Sequence, residues 1–485
     1  MSDLDVPAIV TSSRFLEQKE NASFLFFNNS SYMYDRSRYL ELTKDQLDAK
    51  LIHFLKDFNY FQEIKSGYIQ NMKMCLKALS SVNHLITGHN QWLVEMPDEP
   101  GLFINCRNGL LKIHNTGETP VLLLPHTPTF FTSNIFNFEF RRNWSAPKFL
   151  NFLKEILPDQ DSRDYIQELL GYLLTYDTKH AKMTLFFGSG ANGKSVLLNI
   201  FKLIIGKENY SSLPFDAFYG DNRFLLIKTE GKTANIFEEI PEDKKVKTAT
   251  IKNIVTGGEL TVEEKFMPAK MIQSTVKLIF ATNTLPNFPD KSDGIYRRLV
   301  IIPFLQNFLD PQKANPELAT DQYWIDSGEL EDIFNWAIEG LVRLMKRGHF
   351  IEPRCSLIEK ELFRLEQNPE RQFLIDHFTY TENLCDSISS QELYLKYRVY
   401  AQNIGLTPCT AIKLGREVRR TFPQISQSKN PHNLAGGVKS RIWYGLKYNT
   451  VQYSKVLEQT EQINHNLDKN KILNVPIEVL DEIFK

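Results

Sequence analysis

The stretch Gly188-Ser189-Gly190-Ala191-Asn192-Gly193-Lys194-Ser195 decides how the rest of the chain is interpreted. It has the pattern G-x-x-x-x-G-K-[ST], follows an apolar run at Thr184–Phe187 and precedes a helical pattern at Val196–Ile205. A strand, a glycine-rich loop and a helix in this order indicate a phosphate-binding loop. The alternative is a glycine-rich turn without a ligand, and the strand–loop–helix context favours the phosphate site.

Each residue type in this loop has a chemical reason to be there. Glycines let the backbone turn its N–H groups towards phosphate oxygens, and the start of the following helix adds a favourable dipole. Lys194 is expected to reach the outer phosphates of a triphosphate, and Ser195 to ligate Mg²⁺. The sequence therefore predicts ATP and Mg²⁺ as cofactors, bound by residues 188–195.

The segments around the loop predict a largely parallel α/β sheet. Between residues 181 and 304, short apolar runs alternate with helical or loop segments, as in parallel sheets with crossover connections. The predicted strands are Thr184–Phe187, Ala234–Phe237, Val276–Ala281 and Leu299–Ile302. A helix at Glu329–Lys346 is expected to close this core.

Polar residues follow two of these strands. Glu238 and Glu239 end the second strand, and an ATPase needs one carboxylate at the metal and another to orient the attacking water. We predict that both are catalytic and that Glu238 joins Ser195 at the metal, but the residues do not decide which is the base. Asn283 ends the third strand and is predicted to hold the attacking water. The alternatives are a solvated strand end for the glutamates and an ordinary capping residue for Asn283.

Two arginines, Arg297 and Arg298, precede the last strand. An arginine given to a neighbouring subunit's nucleotide stabilises the charge that develops during phosphoryl transfer. We predict that one of the pair is such a finger. A solvated basic strand edge is the alternative.

The C-terminal part of the chain is basic. Residues 390–449 contain ten Lys or Arg and two acids, which is a charge of 10 − 2 = +8. Helices at Gln391–Ile404 and Ala411–Thr421 and a strand at Lys439–Tyr448 predict a winged-helix-like domain, in which the second helix enters a DNA groove. The predicted DNA-binding residues here are Lys413, Arg416, Arg419, Arg420, Lys439 and Arg441. A solvated basic face is the alternative.

The composition limits the remaining classes. Of 485 residues, 42% are hydrophobic, which indicates a globular chain, and 57 basic against 58 acidic residues give a net charge of −1. Contact with nucleic acid must therefore come from local patches. Five scattered cysteines without a C-x-x-C pair favour neither a disulfide framework nor structural zinc. Without a signal peptide or an apolar run of roughly 18 residues, we expect a soluble cytoplasmic protein, in a bacterial or virus-infected cell, with no membrane partner.

Five features of the chain occur in the order found in superfamily 3 helicases. They are the loop, the Glu238-Glu239 pair, the sequence Gly257-Gly-Glu-Leu-Thr-Val-Glu-Glu-Lys265-Phe266, the strand ending at Asn283 and the Arg297-Arg298 pair. The chain most resembles the phage, plasmid and poxvirus-type primase-helicase branch, over most of residues 24–448. A departure is that the acidic pair is Glu-Glu rather than an Asp-containing pair.

The resemblance implies an AAA+-like P-loop ATPase that forms a ring, usually a hexamer, and moves 3′-to-5′ on single-stranded DNA. It also implies that residues 257–266 form a hairpin in the ring's channel and that Lys265 touches DNA. A cation at a hairpin tip is a suitable phosphate contact, and Phe266 could stack on a base. A surface hairpin with unremarkable charges is the alternative.

The predicted organisation has five parts: an α/β head at 1–100 with an aromatic hairpin at 24–34, a β-rich then helical collar at 101–180 with an Asn108-Gly109 hairpin turn, the ATPase core at 181–350, the winged-helix-like domain at 351–449 and a polar tail at 450–485. The region before Gly101 shows no primase pattern. The leading hypothesis is therefore a replicative DNA helicase of a virus or mobile element that acts on single-stranded and duplex DNA. A separate primase or polymerase is a candidate partner. The alternatives are an ATP-regulated origin-binding initiator and a P-loop switch that acts on proteins.

Overall fold

The computed structural model describes residues 8–17, 23–60, 64–82, 89–94, 101–114, 120–218, 222–240, 248–265, 269–288, 293–308, 315–429 and 441–449. These residues form two compact units. The first comprises the described residues up to Pro286 together with Arg297–Arg354, and the second comprises Asn287–Tyr296 and the described residues from Cys355 onwards. Within the described ranges, no helix is long and apolar enough to cross a membrane.

The first unit begins with a small mixed α/β region, as the sequence predicts. Its elements are α1 (Ala8–Glu17), β1 (Phe24–Phe27), β2 (Ser30–Tyr34), β3 (Tyr39–Leu42), α2 (Lys44–Asp57), α3 (Ser66–Ser80) and β4 (Gln91–Trp92). Asn28 and Asn29 join β1 to β2, and both have the positive φ that a tight two-residue hairpin turn requires. A Thr43 capping box starts α2.

A second antiparallel sheet follows, made of β5 (Leu102–Cys106), β6 (Gly109–Ile113) and β7 (Val121–Leu124). The predicted hairpin is present, but the prediction that Asn108-Gly109 forms its turn is wrong. Cys106 pairs with Gly109, so Arg107 and Asn108 form the loop. Glycine is needed at 109 for another reason, because a Cβ there would lie 2.5 Å from the carbonyl oxygen of Leu124. A short strand, β8 (Phe130–Phe131), pairs with β4.

The centre of the unit is a five-stranded parallel sheet, which confirms the predicted α/β class. Its strands, in chain order, are β9 (Met183–Phe187), β10 (Tyr210–Ser211), β11 (Ala234–Glu238), β14 (Lys277–Thr282) and β15 (Leu299–Pro303). They lie side by side in the order β10-β11-β14-β9-β15, and all the pairings are parallel. The strands that carry the predicted site residues, β9, β11 and β14, are therefore neighbours.

Helices cover one face of this sheet. They are α4 (Pro147–Ile156), α5 (Gln160–Leu173), α6 (Lys194–Ile205), α10 (Asp321–Ser327) and α11 (Leu330–Arg347). Phe186, Ile236, Ile279 and Val300 point into the same buried cluster as these helices. On the opposite face, Phe280 packs edge-on against Phe215, with ring centroids 4.8 Å apart. Burial on both faces explains why the strands are continuous apolar runs.

Two glycines let α5 and α11 pack with their backbones in close approach. A Cβ on Gly340 of α11 would lie 2.5 Å from the carbonyl oxygen of Gln167, and a Cβ on Gly171 of α5 would collide with the carbonyl of Ala337. Backbone atoms cannot move aside as a flexible side chain can, so both positions exclude larger residues. This contact holds the helical layer at the distance that the core requires.

A helix and a hairpin lie between β11 and β14 in the chain. They are α8 (Thr248–Val255), β12 (Glu259–Val262) and β13 (Lys270–Gln273), and a short helix, α7 (Arg223–Leu226), lies against β12. β12 and β13 are antiparallel, with Val262 opposite Lys270. A hairpin is therefore present, but its second strand lies beyond the predicted end at residue 266.

The second unit is a mixed helical and antiparallel β structure. Its elements are α9 (Asp293–Tyr296), α12 (Arg354–Glu366, whose first residue belongs to the first unit), α13 (Pro369–His377), β16 (Phe378–Tyr380), β17 (Ser387–Ser389), α14 (Ser390–Asn403), α15 (Ala411–Thr421), β18 (Ser426–Lys429), β19 (Arg441–Tyr444) and β20 (Leu446–Tyr448). The two predicted helices are confirmed as α14 and α15. The predicted final strand is divided at Gly445, which has φ +79°, and β18 was not predicted.

Three strands of this unit form a sheet in the order β17-β19-β18, and α13, α14 and α15 pack on a shared core that includes Phe373, Tyr397, Val418 and Trp443. After α13 and the short β16, the element order is one strand, two helices and three strands. The assignment of this unit to the winged-helix class stays a prediction, as does the five-part division of the chain. The predicted tail at 450–485 lies outside the described residues.

Replacing Gly340 by alanine tests the close packing of α5 and α11. Because the added methyl group would meet a backbone carbonyl, Gly340→Ala should lower the free energy of unfolding by about 2 kcal/mol or more. Gly67→Ala in α3 is the matched control, since nothing lies within 4 Å of a Cβ there. It should leave stability unchanged or raise it by up to about 1 kcal/mol. Equal effects of the two substitutions in chemical denaturation would contradict the packing.

Candidate nucleotide-binding site

The predicted loop lies at the carboxyl edge of the parallel sheet, between the ends of β14 and β15. Phe187 is level with Thr282 on one side and with Pro303 on the other. Glu238, at the end of β11, is level with Ala281. Residues 188–193, Glu238 and Asn283 therefore leave the same edge of the sheet, which is where parallel α/β sheets bind ligands.

The conformation of the loop depends on its glycines. A Cβ on Gly188 would lie 2.6 Å from the carbonyl oxygen of Phe304, and a Cβ on Gly193 would lie 2.5 Å from Cγ2 of Ile156. Gly190 and Gly193 also have positive φ angles of +102° and +85°. The Nδ2 of Asn192 donates to the Phe304 carbonyl at 3.2 Å, which fastens the loop to the end of β15.

Lys194 is the first residue of α6, and its amine occupies the centre of the loop. Its Nζ donates to the carbonyl oxygen of Gly188 at 2.6 Å, to Oδ1 of Asn192 at 3.0 Å and to Oδ1 of Asn283 at 3.4 Å. Asn283 is 89 residues further along the chain. The structure thus brings together two residues that the sequence analysis proposed separately. Burial lowers the pKa of the Lys194 amine from its ordinary value of 10.5 to about 8.

The two glutamates have different surroundings. Oε1 of Glu238 lies 3.0 Å from the Nζ of Lys202, which is on α6. Glu239 is exposed, has φ +76°, and its N–H donates to the Ala281 carbonyl at 3.0 Å. Both carboxylates are at the correct edge of the sheet, but Glu238 has a cationic neighbour that the sequence analysis did not include.

The loop fits a bound triphosphate. Backbone N–H groups at the start of the twelve-residue helix α6 and a buried amine provide positive potential, and Cβ-free glycines leave the backbone accessible. Ser195 is exposed at the first turn of α6, where a hydroxyl could join a metal that phosphates also hold. Among the described residues, no three His, Cys, Asp or Glu side chains cluster as metal ligands.

Arg297 and Arg298 lie at the opposite edge of the sheet from the loop of their own chain. They precede β15, whose first residue, Leu299, is level with Met183 at the amino end of β9. The carbonyls of Arg297 and Arg298 accept from the Nζ of Lys182 and the N–H of Met183, each at 2.8 Å. Four residue steps of β15 separate them from the carboxyl edge, which is roughly 13 Å. Their backbones are thus fixed far from the nucleotide loop of the same chain.

Lys265 is exposed in the connection between β12 and β13, and Phe266 lies outside the described residues. The base of this hairpin is tied to α7, because Nη1 of Arg223 lies 2.9 Å from Oε1 of Glu263. Beside that ion pair, Phe224 of α7 is 56% exposed. Phe224 was not among the predicted site residues, although an aromatic residue next to a cation in the polar segment Asp221-Asn-Arg-Phe224 is a signal for such a contact.

The basic residues of the second unit divide into two groups. Lys413 and Arg420 form ion pairs with Glu370 and Glu417, whereas Arg416 is exposed without an ion pair among the described residues. Arg419 is exposed and also contacts Gln427 and the Trp443 ring. Arg441 starts β19, and Lys439 lies outside the described residues. The charge pattern alone could not reveal Glu370, which is 43 residues from Lys413, whereas Glu417 lies three residues before Arg420 on the same helix.

Comparisons with known proteins cover the part of the chain that contains this edge of the sheet. A family of unknown function, DUF5906, matches residues 186–298, which include the loop, both strand ends and the hairpin. In fold, the chain is similar to the C-terminal region of NrS-1, with a TM-score of 0.50 and 14% identity over 86% of this chain and 94% of that structure.

The sequence relatives are viral proteins named as helicases and primases. "Putative helicase L207/L206" of Acanthamoeba polyphaga mimivirus is 26% identical over 57% of this chain and 31% of its own length. "Putative primase C962R" of African swine fever virus (strain Badajoz 1971 Vero-adapted) is 25% identical over 62% and 33%. "Putative helicase 184R" of Invertebrate iridescent virus 6 is 24% identical over 52% and 29%. The chain spans about a third of the length of these relatives.

Two buried lysines should make stability depend on pH. Burial lowers the pKa of Lys194 to about 8 and that of Lys277, whose amine donates to the carbonyls of Thr175 and Thr275, to about 7. Between each folded pKa and 10.5 the unfolded chain binds more protons, so the free energy of unfolding should rise with pH. Lys277→Met should remove the part of this rise in the free energy of unfolding that begins near pH 7. Lys194→Met should remove the part that begins near pH 8.

Chemical denaturation of the three proteins at several pH values checks this. Each variant also loses the hydrogen bonds of its lysine. This loss lowers the free energy of unfolding by the same amount at every pH, so it does not change the slope of the free energy against pH. Parallel pH profiles for the wild type and both variants would contradict the lowered pKa values of the two lysines.

Proposed function

We propose that this chain is the ATP-dependent DNA helicase part of a viral or mobile-element replication protein, with a superfamily 3, AAA+-like core. The observation that carries the proposal is the contact of Lys194 with both the loop and Asn283 at one edge of a parallel sheet. The viral relatives named as helicases and primases support it. The resemblance at the sequence level adds a ring, usually a hexamer, and 3′-to-5′ movement on single-stranded DNA.

In this proposal the chain's own residues bind and orient ATP. The amine of Lys194 exchanges its carbonyl partners for phosphate oxygens, and the loop N–H groups hold the remaining charge. Asn283 positions the attacking water, and Glu238 or Glu239 accepts its proton. Magnesium bound by Ser195 and a glutamate would neutralise charge on the phosphates.

The hairpin is the proposed contact with single-stranded DNA. Lys265 offers a phosphate contact that any sequence satisfies, and Phe266 and Phe224 offer surfaces on which bases stack. The ion pair between Arg223 and Glu263 would move α7 and the hairpin together. Contacts of this kind suit a motor, because they do not stop at particular sequences.

Assembly of several subunits is proposed from the position of the arginines. Since Arg297 and Arg298 lie at the edge opposite their own loop, either can act on a nucleotide only if that nucleotide is held by another copy. A ring in which each subunit gives one arginine to its neighbour meets this condition.

A second candidate function is an ATP-regulated origin-binding initiator, in which unwinding is secondary. The exposed basic residues of α15, in a unit that is compact by itself, favour it. A separate primase or polymerase partner remains part of the proposal, since one group of relatives is named as primases.

Lys265→Ala tests the motor function. ATP hydrolysis should stay within about twofold of the wild type, while strand displacement from forked duplexes should fall at least about tenfold, because the substitution removes a DNA contact only. Lys194→Ala should abolish both activities. Lys346→Ala, which removes another exposed lysine, is the matched control and should change neither. Equal loss of hydrolysis and displacement in Lys265→Ala would contradict a DNA-contacting role.

Mixed assemblies test the donation of an arginine between subunits. Arg297→Ala or Arg298→Ala subunits retain an intact loop, and Lys194→Ala subunits retain intact arginines. Each should hydrolyse ATP poorly alone, and mixtures with the correct arginine variant should recover part of the activity, because some interfaces regain both components. No recovery for either arginine would count against the proposal. Mass measurement with and without nucleotide gives the subunit number.

A further inference from the structure

The cations of α15 have two separate tasks. Nζ of Lys413 lies 2.6 Å from Oε1 of Glu370, and Nη1 of Arg420 lies 3.4 Å from Oε2 of Glu417. Both glutamates are buried, so these two cations compensate carboxylates that would otherwise be costly.

The same acids fasten α15 to α13. Glu370 is in the first turn of α13, and Oε1 of Glu417 accepts from Nδ2 of Asn368, the residue that caps that helix, at 2.8 Å. Lys413 therefore ties α15 to α13 directly, and Arg420 neutralises Glu417, whose other oxygen holds Asn368. Half of the predicted DNA-binding cations of this helix are positioning residues.

A different face of α15 is directed to solvent. Ile412, Arg416 and Arg419 are spaced i, i+4 and i+7, which places them on one side of a helix. Ile412 is 72% exposed, the highest value for a large apolar side chain among the described residues. Arg416 is exposed one turn later, and the structure gives it no ion pair or hydrogen bond within the described ranges.

Arg419 is held in place at the end of this face. Its Nη2 donates to Oε1 of Gln427 at 2.5 Å, and its guanidinium lies 5.3 Å from the centre of the Trp443 ring. A cation supported in this way is preorganised, while Arg416 has no partner within the described ranges. The face thus combines an exposed apolar tip, an exposed guanidinium and a supported guanidinium.

We infer that this face binds duplex DNA selectively, by reading base edges in the major groove. Residues near the start of a recognition helix contact bases, so Ile412 would pack on a thymine methyl group and Arg416 would bind O6 and N7 of a guanine. Arg419 would hold a phosphate. A surface that only neutralised phosphates would need cations and gain nothing from an exposed isoleucine between them. The inference rests on the proposed function in taking DNA as the ligand, and adds a sequence preference.

Selection from a pool of random duplexes by the full chain tests the inference. We expect enrichment of a short sequence that contains a guanine and a thymine, bound at least about tenfold more tightly than random duplex at the same salt. Arg416→Ala should reduce affinity for the selected duplex by about tenfold and affinity for random duplex much less. Arg416→Lys keeps the charge but lacks the paired donors, so it should lose the preference while random duplex binding is kept.

The thymine contact has a test of its own. Replacing thymine by uracil removes only the methyl group, so uracil at the contacted position should weaken wild-type binding several-fold. Ile412→Ala should bind the thymine and uracil duplexes equally. Leu395→Ala and Arg398→Ala, which alter exposed residues of the neighbouring helix α14, are the matched controls and should keep the full preference.

Three results would overturn the inference: no enriched sequence, a preference that survives both Ile412→Ala and Arg416→Ala, or binding of these residues to a protein partner with no duplex affinity. Strand displacement measured on the same preparations separates this failure from failure of the motor. Intact displacement with no preference would refute only the groove-reading face, and preference without ATP hydrolysis would refute only the motor.

Discussion

The position of the Lys194 amine is the constraint on which the nucleotide site depends. A buried ammonium group is costly unless oxygen atoms surround it, and here they come from Gly188, Asn192 and Asn283. Two of these are in the loop and the third ends another strand. The contact can form only if β14 lies beside β9, if the loop closes without Cβ atoms at 188 and 193, and if the helical layer packs closely enough to support α6. The glycine contact between α5 and α11 meets the last requirement.

The parallel sheet then separates two kinds of chemistry by its two edges. The loop, the glutamates and Asn283 leave the carboxyl edge, while Arg297 and Arg298 enter at the amino edge. Under the proposed function, each end of this layer would carry part of a phosphoryl-transfer site. This is the physical basis for the proposal that two copies are needed to complete a site, and it does not depend on any single side-chain distance.

The sequence predicted the features that depend on local pattern. The four strands, α6, α11 and α15 were predicted within a few residues because their apolar periodicity and the loop motif are local properties. The turn of the 102–113 hairpin was misassigned, because Gly109 serves the approach of β7, which no local pattern shows. Lys202 beside Glu238, and Glu370 beside Lys413, are contacts between distant segments. They change which charges are available, and only the packed structure reveals them.

The central claim is that residues 188–195 bind a triphosphate through Lys194, and equilibrium binding of a slowly hydrolysed ATP analogue with Mg²⁺ tests it most directly. Calorimetric titration of the full chain should show one site per chain, and this site should disappear in Lys194→Ala while Lys346→Ala retains it. Absence of binding in the wild type, or unchanged binding in Lys194→Ala, would contradict the account.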